Sequence, residues 1–462
     1  MRSLKDILAD TSTSTIISEL KERSYQVPAW TDLVKDYEPE LHTIVNDRIG
    51  RKDKVHSDGT MDKAARIPLA LEKLLTKRVT DFTFAIQPKR VYSNADTDTR
   101  KAIVKAMESV YKHAHIEWEN IKRGVAYYAS CEIFTLWYVV EKPNTLYGFN
   151  SKFKLKCRTF SPMDGSTLYP LFDETGDLLA ISLEYTKKVA NEEITFFETY
   201  TAEEYRKWKS AGKDWEVVTS EPISILKIPG AYLWRKKPIF AGLQKLREDL
   251  EYTLSRNSDI VAYNSAPILK VVGKLEGEVH KGETRRVYRV TEGGDVGYVS
   301  WMQSVEAQKF HTDSLMKHFW MQSQMPDISF ENLKSLGNIG YSARKMLLTD
   351  THLKIGEEKG AWLEFLNRES NVIKAFLKQM NVEWKDEVDE VQVEHIITPF
   401  IIEDEQEKID MHMKANGGKP VESQRESIQY LGKSANVDET IRQINEEADA
   451  TAARSAQAFQ LE

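Results

Sequence analysis

Apolar residues recur at helical spacing in some stretches of the chain and alternate in others, which predicts a mixed α+β protein. Asp62 to Val79 sets Ala65, Ile67, Leu71, Leu74, Leu75 and Val79 along one broad helical face. Thr97 to Trp118 does the same with Ile103, Val104, Met107, Val110 and Tyr111. Between them, Asp81-Phe82-Thr83-Phe84-Ala85-Ile86 alternates and is stopped by Pro88, which predicts a strand. Residues 43–60 carry charge without period and read as an exposed loop. From about 125 to 230 the period is that of strands: Cys131–Val140, Lys152–Phe160, Leu178–Thr186, Glu193–Tyr200, Trp215–Val218 and Ile223–Ile228. The turns between them contain Pro-Asn, Asp-Gly, Thr-Gly-Asp and Ala-Gly-Lys, so the region is expected to be an antiparallel sheet. Its Phe196, Phe197, Trp208 and Trp215 read as core and rim aromatics.

Pro238 opens a second helical region that runs to about Tyr263, with Leu243, Leu246, Leu250, Leu254 and Val261 as its stripe and Pro267 beyond its end. A small strand-and-turn unit follows: Ile268–Val272, a basic Gly-bearing loop, Arg286–Val290, then Gly293-Gly294-Asp295-Val296-Gly297-Tyr298. The next helix is predicted from about Ser304 to Gln324, cut by Pro326, and carries Phe310, Leu315 and Phe319. Residues 327–340 hold two glycines and no period, and read as a loop. No proline interrupts Tyr341 to Met380, where Met346, Leu347, Leu353, Trp362, Leu363, Leu366, Ile373, Phe376 and Leu377 recur near helical spacing. Such a helix is roughly 60 Å long at 1.5 Å per residue, with Gly356 and Gly360 as bend points. Val388 to Pro399 alternates again. From Glu403 the chain is helical and acidic, with a stop at Asn416-Gly417-Gly418 and capping boxes at Ser423–Glu426 and Asn436–Glu439.

Charge narrows the picture. The chain of 462 residues has 64 Lys+Arg against 71 Asp+Glu, a net charge of −7, so bulk charge cannot hold nucleic acid and any such contact must be local. Two cysteines, Cys131 and Cys157, make no disulfide framework, and no Cys/His spacing suggests zinc. No apolar run is long enough to cross a bilayer. The start, Met1-Arg2-Ser3-Leu4-Lys5-Asp6, lacks the apolar core of a signal peptide, so an intracellular protein is expected. There is no Walker A sequence, His-Glu-x-x-His, nucleophile elbow or dinucleotide fingerprint. No catalytic residue, cofactor or metal site is therefore expected. His113 and His115 are two apart and do not share a helical face. His311 and His318 lie two turns apart and line a surface. Basic residues gather instead at Arg235-Lys236-Lys237, at Lys270, Lys274, Lys281, Arg285, Arg286 and Arg289 of the small unit, and at Lys309, Lys317, Lys334, Arg344 and Lys345. Glu276, Glu278, Glu283 and Glu306 intervene, so an ordinary charged surface is the other reading.

The order of these parts resembles the portal proteins of tailed double-stranded DNA phages. The resemblance runs through the helix from Leu243 to Asp259, Ala266-Pro-Ile-Leu-Lys-Val-Val-Gly273, Gly293-Gly-Asp-Val-Gly-Tyr-Val299 and Met325-Pro-Asp-Ile-Ser329. It continues through Ile339-Gly-Tyr-Ser-Ala-Arg-Lys-Met-Leu347 and Gly418-Lys-Pro-Val-Glu-Ser-Gln-Arg-Glu-Ser-Ile428. It departs at the family's frequent Gly-x-Ser before the first stem helix, which here is Lys237-Pro-Ile-Phe-Ala-Gly-Leu243. The resemblance implies an α+β portal fold: a mixed wing (1–237), stem helices (238–266 and 301–326), a small α/β clip (267–300), a tunnel loop (327–340), a long kinked helix with a wing strand (341–402), and a helical crown (403–462).

It further implies a homo-oligomeric ring, usually of twelve subunits, at one capsid vertex, through which double-stranded DNA is packaged and ejected. Terminase large subunit, a head-tail adaptor, and major capsid and scaffolding proteins would be its partners, in the virion and in the host cytoplasm during assembly. Lys334, Lys309, Lys317, Arg344 and Lys345 would then face DNA, and Lys274, Lys281, Arg285, Arg286 and Arg289 would meet clip partners. Leu243, Leu246, Leu250, Leu254, Phe310, Leu315 and Phe319 would pack between helices within and across subunits. A soluble oligomeric scaffold or adaptor with no DNA channel fits the acidic balance equally well.

Overall fold

The computed structural model describes residues 3–22, 27–189, 192–212, 214–264, 268–273, 293, 295–299, 305–327, 345–401, 405–418, 420–432, 434 and 437–459. The chain divides into two units, residues 1–327 with 350–400, and residues 328–349 with 401–462.

The first unit begins with helices α1 (Leu4–Leu8), α2 (Thr13–Lys21) and α3 (Trp30–Tyr37), the first two capped by Ser3 and Ser12 side chains. A short antiparallel pair, β1 (Lys54–Val55) and β2 (Met61–Asp62), follows. Helix α4 spans Leu71–Phe84, so the expected helix over 62–79 starts nine residues late, after Pro68, and the expected strand at Asp81–Ile86 lies mostly inside it. Thr80, Phe82, Thr83 and Phe84 are all buried, and a segment buried all round shows no helical period. The Thr80 and Thr83 hydroxyls donate to the carbonyls of Thr76 and Val79 at 2.9 and 2.7 Å, satisfying the threonines within the helix.

Strand β3 (Lys89–Ser93) comes after Pro88. The helix expected over 97–118 is two, α5 (Asp98–His113) and α6 (Ile116–Ser130), because His115 takes a left-handed conformation at φ 52° between them. Gly124 of α6 lies where a Cβ would come within 2.7 Å of Thr80, so its lack of a side chain lets α4 and α6 approach closely.

The strand region forms two sheets. β4 (Glu132–Asn144) and β5 (Ser151–Phe160) pair with β11 (Gly230–Trp234) in the order β11-β4-β5. β6 (Thr167–Phe172), β7 (Leu178–Val189), β8 (Glu192–Thr201), β9 (Glu204–Ser210) and β10 (Glu216–Pro222) form an antiparallel meander. β6 is an edge strand, which is where Pro170 is tolerated. Ile223–Ile228, expected as a strand, is a turn, and the pairing residues lie just beyond it.

The sheets stack with helices in layers. Ile7, Ile16, Ile17 and Leu20 of α1 and α2 pack on Phe197 and Trp208. The other face of that sheet (Ile181, Leu183, Tyr200) meets Phe134, Leu136 and Phe160 of the three-stranded sheet. The far side of the latter, at Trp137 and Leu155, packs on Ile103, Met107 and Val110 of α5 and on Ile373 and Leu377 of a later helix.

Three longer helices follow, α7 (Gln244–Asn264), α8 (Val305–Ser323) and α9 (Thr349–Met380), with the pair β12 (Ile268–Val272) and β13 (Asp295–Val299) between the first two. α7 starts at Gln244 and not at Pro238; Gly242 ahead of it has φ +90°, a conformation a helix cannot contain. α9 is continuous through Gly356 and Gly360. The segment expected at 388–399 is strand only at β14 (Gln392–Ile396), which pairs with β3. α9 is fixed by a fully buried ion pair, Arg123 Nη1 to Glu369 Oε1 at 2.7 Å, to which the Trp137 indole donates at 3.1 Å.

The second unit contains α10 (Glu405–Asn416), α11 (Gln424–Leu431) and α12 (Val437–Phe459). Ser423 and Glu426 form the expected capping box, and Gly432 ends α11 in the left-handed region. The box expected at Asn436 falls outside the described residues.

Candidate channel and docking elements

α7 carries two stripes. The apolar one was legible in the sequence. Beside it Arg247, Glu251, Ser255 and Asp259 follow one another at four-residue spacing, which sets them on one face. Four residues of helix rise about 6 Å, close to the two-residue repeat of an extended chain. Residues 65–69 use this match. The amides of Leu69, Ile67 and Ala65 donate to Glu251 Oε1, Ser255 Oγ and Asp259 Oδ1 at 2.7, 2.9 and 2.8 Å. An extended strap thus lies along α7, its outer end locked by Arg51 to Asp259 at 2.6 Å.

At the inner end, Arg247 meets Glu72 (2.9 Å), Asp36 (3.0 Å) and Glu251 (3.2 Å), while His42 Nδ1 lies 2.6 Å from Glu251 and Nε2 donates to the Asp36 carbonyl at 2.9 Å. Burial opposes the Arg247 charge, but the Glu72 and Glu251 carboxylates outweigh it and raise its pKa. Burial likewise raises Glu72, with Arg247 opposing. This charged cluster was missed in the sequence, although the Arg-Glu-Ser-Asp spacing was there to find.

α8 packs on α7, with His311 Nε2 3.7 Å from Asp249. Its C-terminal end is anchored: Phe319, Trp320, Ser323 and Met325 are buried. The Arg78 guanidinium stacks 4.0 Å over the Trp320 ring and donates to the Pro326 carbonyl at 2.8 Å. From α9, Lys354 Nζ donates to the Ser323 carbonyl at 2.5 Å and Thr351 to the Gln324 carbonyl at 3.0 Å. Burial, then the neighbouring Arg235, pushes Lys354 down to about 8. Residues 323–324 and 351–354 are therefore held side by side.

The expected site residues divide into several groups. Leu243, Leu250 and Phe319 are buried in their own chain, Leu246, Leu254 and Leu315 are half-buried, and Phe310 is 76% exposed. Tyr252, Val261 and Met321, exposed large apolar side chains on the same two helices, were not singled out in the sequence as a surface. Lys309 and Lys317 are exposed on α8 and make no ion pair among the described residues, Asp313 included. Lys345 is exposed in the second unit. Lys334 and Arg344, and the clip residues Lys274, Lys281, Arg285, Arg286 and Arg289, lie outside the described residues. Among the described residues no helix is long and apolar enough to cross a membrane.

Comparison with known proteins adds a family. Among curated proteins, no sequence matches this chain. Solved structures similar to this chain include two from gene transfer agent particles. One is a chain of "Neck of empty GTA particle computed with C6 symmetry", at 11% identity and TM-score 0.40, covering 79% of this chain and 89% of that one. The other is a chain of "Virion of native gene transfer agent (GTA) particle", at 10% identity and TM-score 0.39, covering 91% and 99%. Those scores are too low to carry an argument. The family profile "Phage portal protein, SPP1 Gp6-like" matches residues 18–454. Nearly the whole chain is accounted for by that one profile, and the protein belongs to the phage portal protein family.

Proposed function

We propose that the protein assembles into a ring, usually of twelve subunits, that sits at one capsid vertex of the virion and passes double-stranded DNA during packaging and ejection. Beyond family membership, the observation that carries the reading is Phe310, a large apolar side chain left 76% exposed on α8, which packs on α7. Met321, also exposed, follows it about three turns on along the same face of α8. Large apolar side chains exposed on paired helices call for a partner, and a second copy is the economical one. Residues 267–300 would be the clip, meeting terminase large subunit and then a head-tail adaptor through Lys274, Lys281, Arg285, Arg286 and Arg289. Residues 327–340 would be the tunnel loop, 403–462 the crown, and residues 1–237 the wing, open to capsid and scaffolding proteins.

Lys309 and Lys317, eight residues apart and without an acidic partner among the described residues, support a cationic lining. Lysine suits a moving duplex because its point charge does not lock phosphate in the two-pronged geometry of arginine. Lys334, Arg344 and Lys345 complete the proposed lining. The experiment is direct imaging of the purified protein together with a packaging assay on the triple Lys309→Ala, Lys317→Ala, Lys334→Ala variant. Axial rings and a salt-dependent packaging defect with rings intact are expected. Rings whose triple variant packages normally at every salt concentration would favour the scaffold or adaptor reading.

A further inference from the structure

A cross-strand pattern neutralises three lysines of the five-stranded sheet, whereas Lys187 there faces Ile194. In the five-stranded sheet Lys188 sits opposite Glu193, Lys207 opposite Glu198 and Lys209 opposite Glu216, each with an ion pair at 2.8–3.7 Å. β5 departs from it. Lys152, Lys154, Lys156 and Arg158 alternate along that strand and share one face. The residues directly opposite the last three on β4 are Val140, Tyr138 and Leu136. None of the four cations has an ion-pair partner among the described residues, and Lys152, Lys156 and Arg158 are exposed. The row continues the face that Phe160, Phe134 and Leu136 bury against the five-stranded sheet. It begins where that cover stops.

From this placement we infer that the face of β5 is a second binding surface for the phosphate backbone of DNA, separate from the channel lining proposed above. Rungs about 6.8 Å apart give a row of roughly 20 Å. One DNA strand presents a charge about every 3.4 Å of axis, so such a row always faces several phosphates without needing a sequence match. An acidic polypeptide is the weaker fit. An extended peptide is held chiefly by main-chain pairing with an open strand edge, and the free edge of β5 is already used: the Leu155 amide donates to the Tyr147 hydroxyl at 2.9 Å. The Phe153 carbonyl accepts from Asn144 Nδ2 and Ser151 Oγ at 3.0 and 2.8 Å. What remains open is the sheet face, with Arg158 laid 4.7 Å over the Phe160 ring and Tyr138 partly exposed beside it.

The test is the salt dependence of binding to a fluorescent DNA duplex by the full chain. The triple Lys152→Ala, Lys154→Ala, Lys156→Ala variant is compared with wild type and with Lys188→Ala as a paired-lysine control. Each phosphate contact contributes about 0.9 to the slope of log affinity against log salt, so the triple variant should lower that slope by about 2–3 while the control leaves it unchanged. An unchanged slope in a variant of native circular dichroism overturns the inference, as does ladder-dependent binding of polyglutamate with none of DNA. The mass of the same samples separates this from the portal reading. Rings with an unchanged slope remove the ladder alone, whereas monomers with a ladder-dependent slope keep it and remove the ring.

Discussion

His395 on β14 is buried; its Nε2 bonds the Ser370 hydroxyl at 2.7 Å, and its Nδ1 has no partner among the described residues. Burial pushes its pKa down from 6.5 to about 4, with Glu369 and Glu108 opposing and Arg90 and Arg123 assisting. Between those values the unfolded chain binds a proton that the folded chain refuses. The stabilising effect of a neutral His395 is therefore complete above about pH 6.5 and lost as pH falls toward 4. Its full size is on the order of 3 kcal/mol at about 1.4 kcal/mol per pH unit. Urea midpoints measured from pH 7 to pH 4 should fall in wild type and fall less in His395→Gln. Identical slopes would show that the acid sensitivity originates elsewhere. None of this was visible in the sequence, because the burial comes from packing β14 against β3 and α9, and His395 lies three hundred residues from β3.

At the scale of elements, what the sequence disclosed depended on how each segment is buried. The stripe on α7 and the capping box at Ser423 have a one-sided burial and a local hydrogen bond, and their residues announce it. Phe82 to Phe84 lies in the buried last turn of its helix, so its alternation pointed to the wrong element. The strap over residues 65–69 was read as helix because Ala65, Ile67 and Leu71 matched a helical face, whereas its real partner is the polar stripe of α7, far along the chain. Ser255→Ala tests that partnership. It takes the acceptor from the part-buried Ile67 amide, which costs about 1 kcal/mol. Amide exchange at Ile67 should rise well above that at Leu69, which keeps its bond to Glu251. Uniform exchange across 65–69 in the variant would mean that the strap is not held by these side chains.

For the whole molecule, the exposure pattern redirects the search for the contact between copies. Leu250 is 1% exposed, so Leu250→Asp would disrupt the subunit itself and report on folding. Phe310, at 76% exposure, is the side chain whose burial must come from another copy if the protein is a ring. Burying it is worth roughly 1.5–3 kcal/mol, repeated at every interface. Phe310→Asp should therefore leave the helix content and melting of the subunit close to wild type while abolishing assembly. The most direct measurement is the mass of the native particle in solution for both proteins. The account predicts that wild type has a closed-ring mass, a multiple of 53.2 kDa near twelve copies, and that Phe310→Asp falls to 53.2 kDa. Wild type found only at 53.2 kDa, or a ring that Phe310→Asp leaves intact, would contradict it.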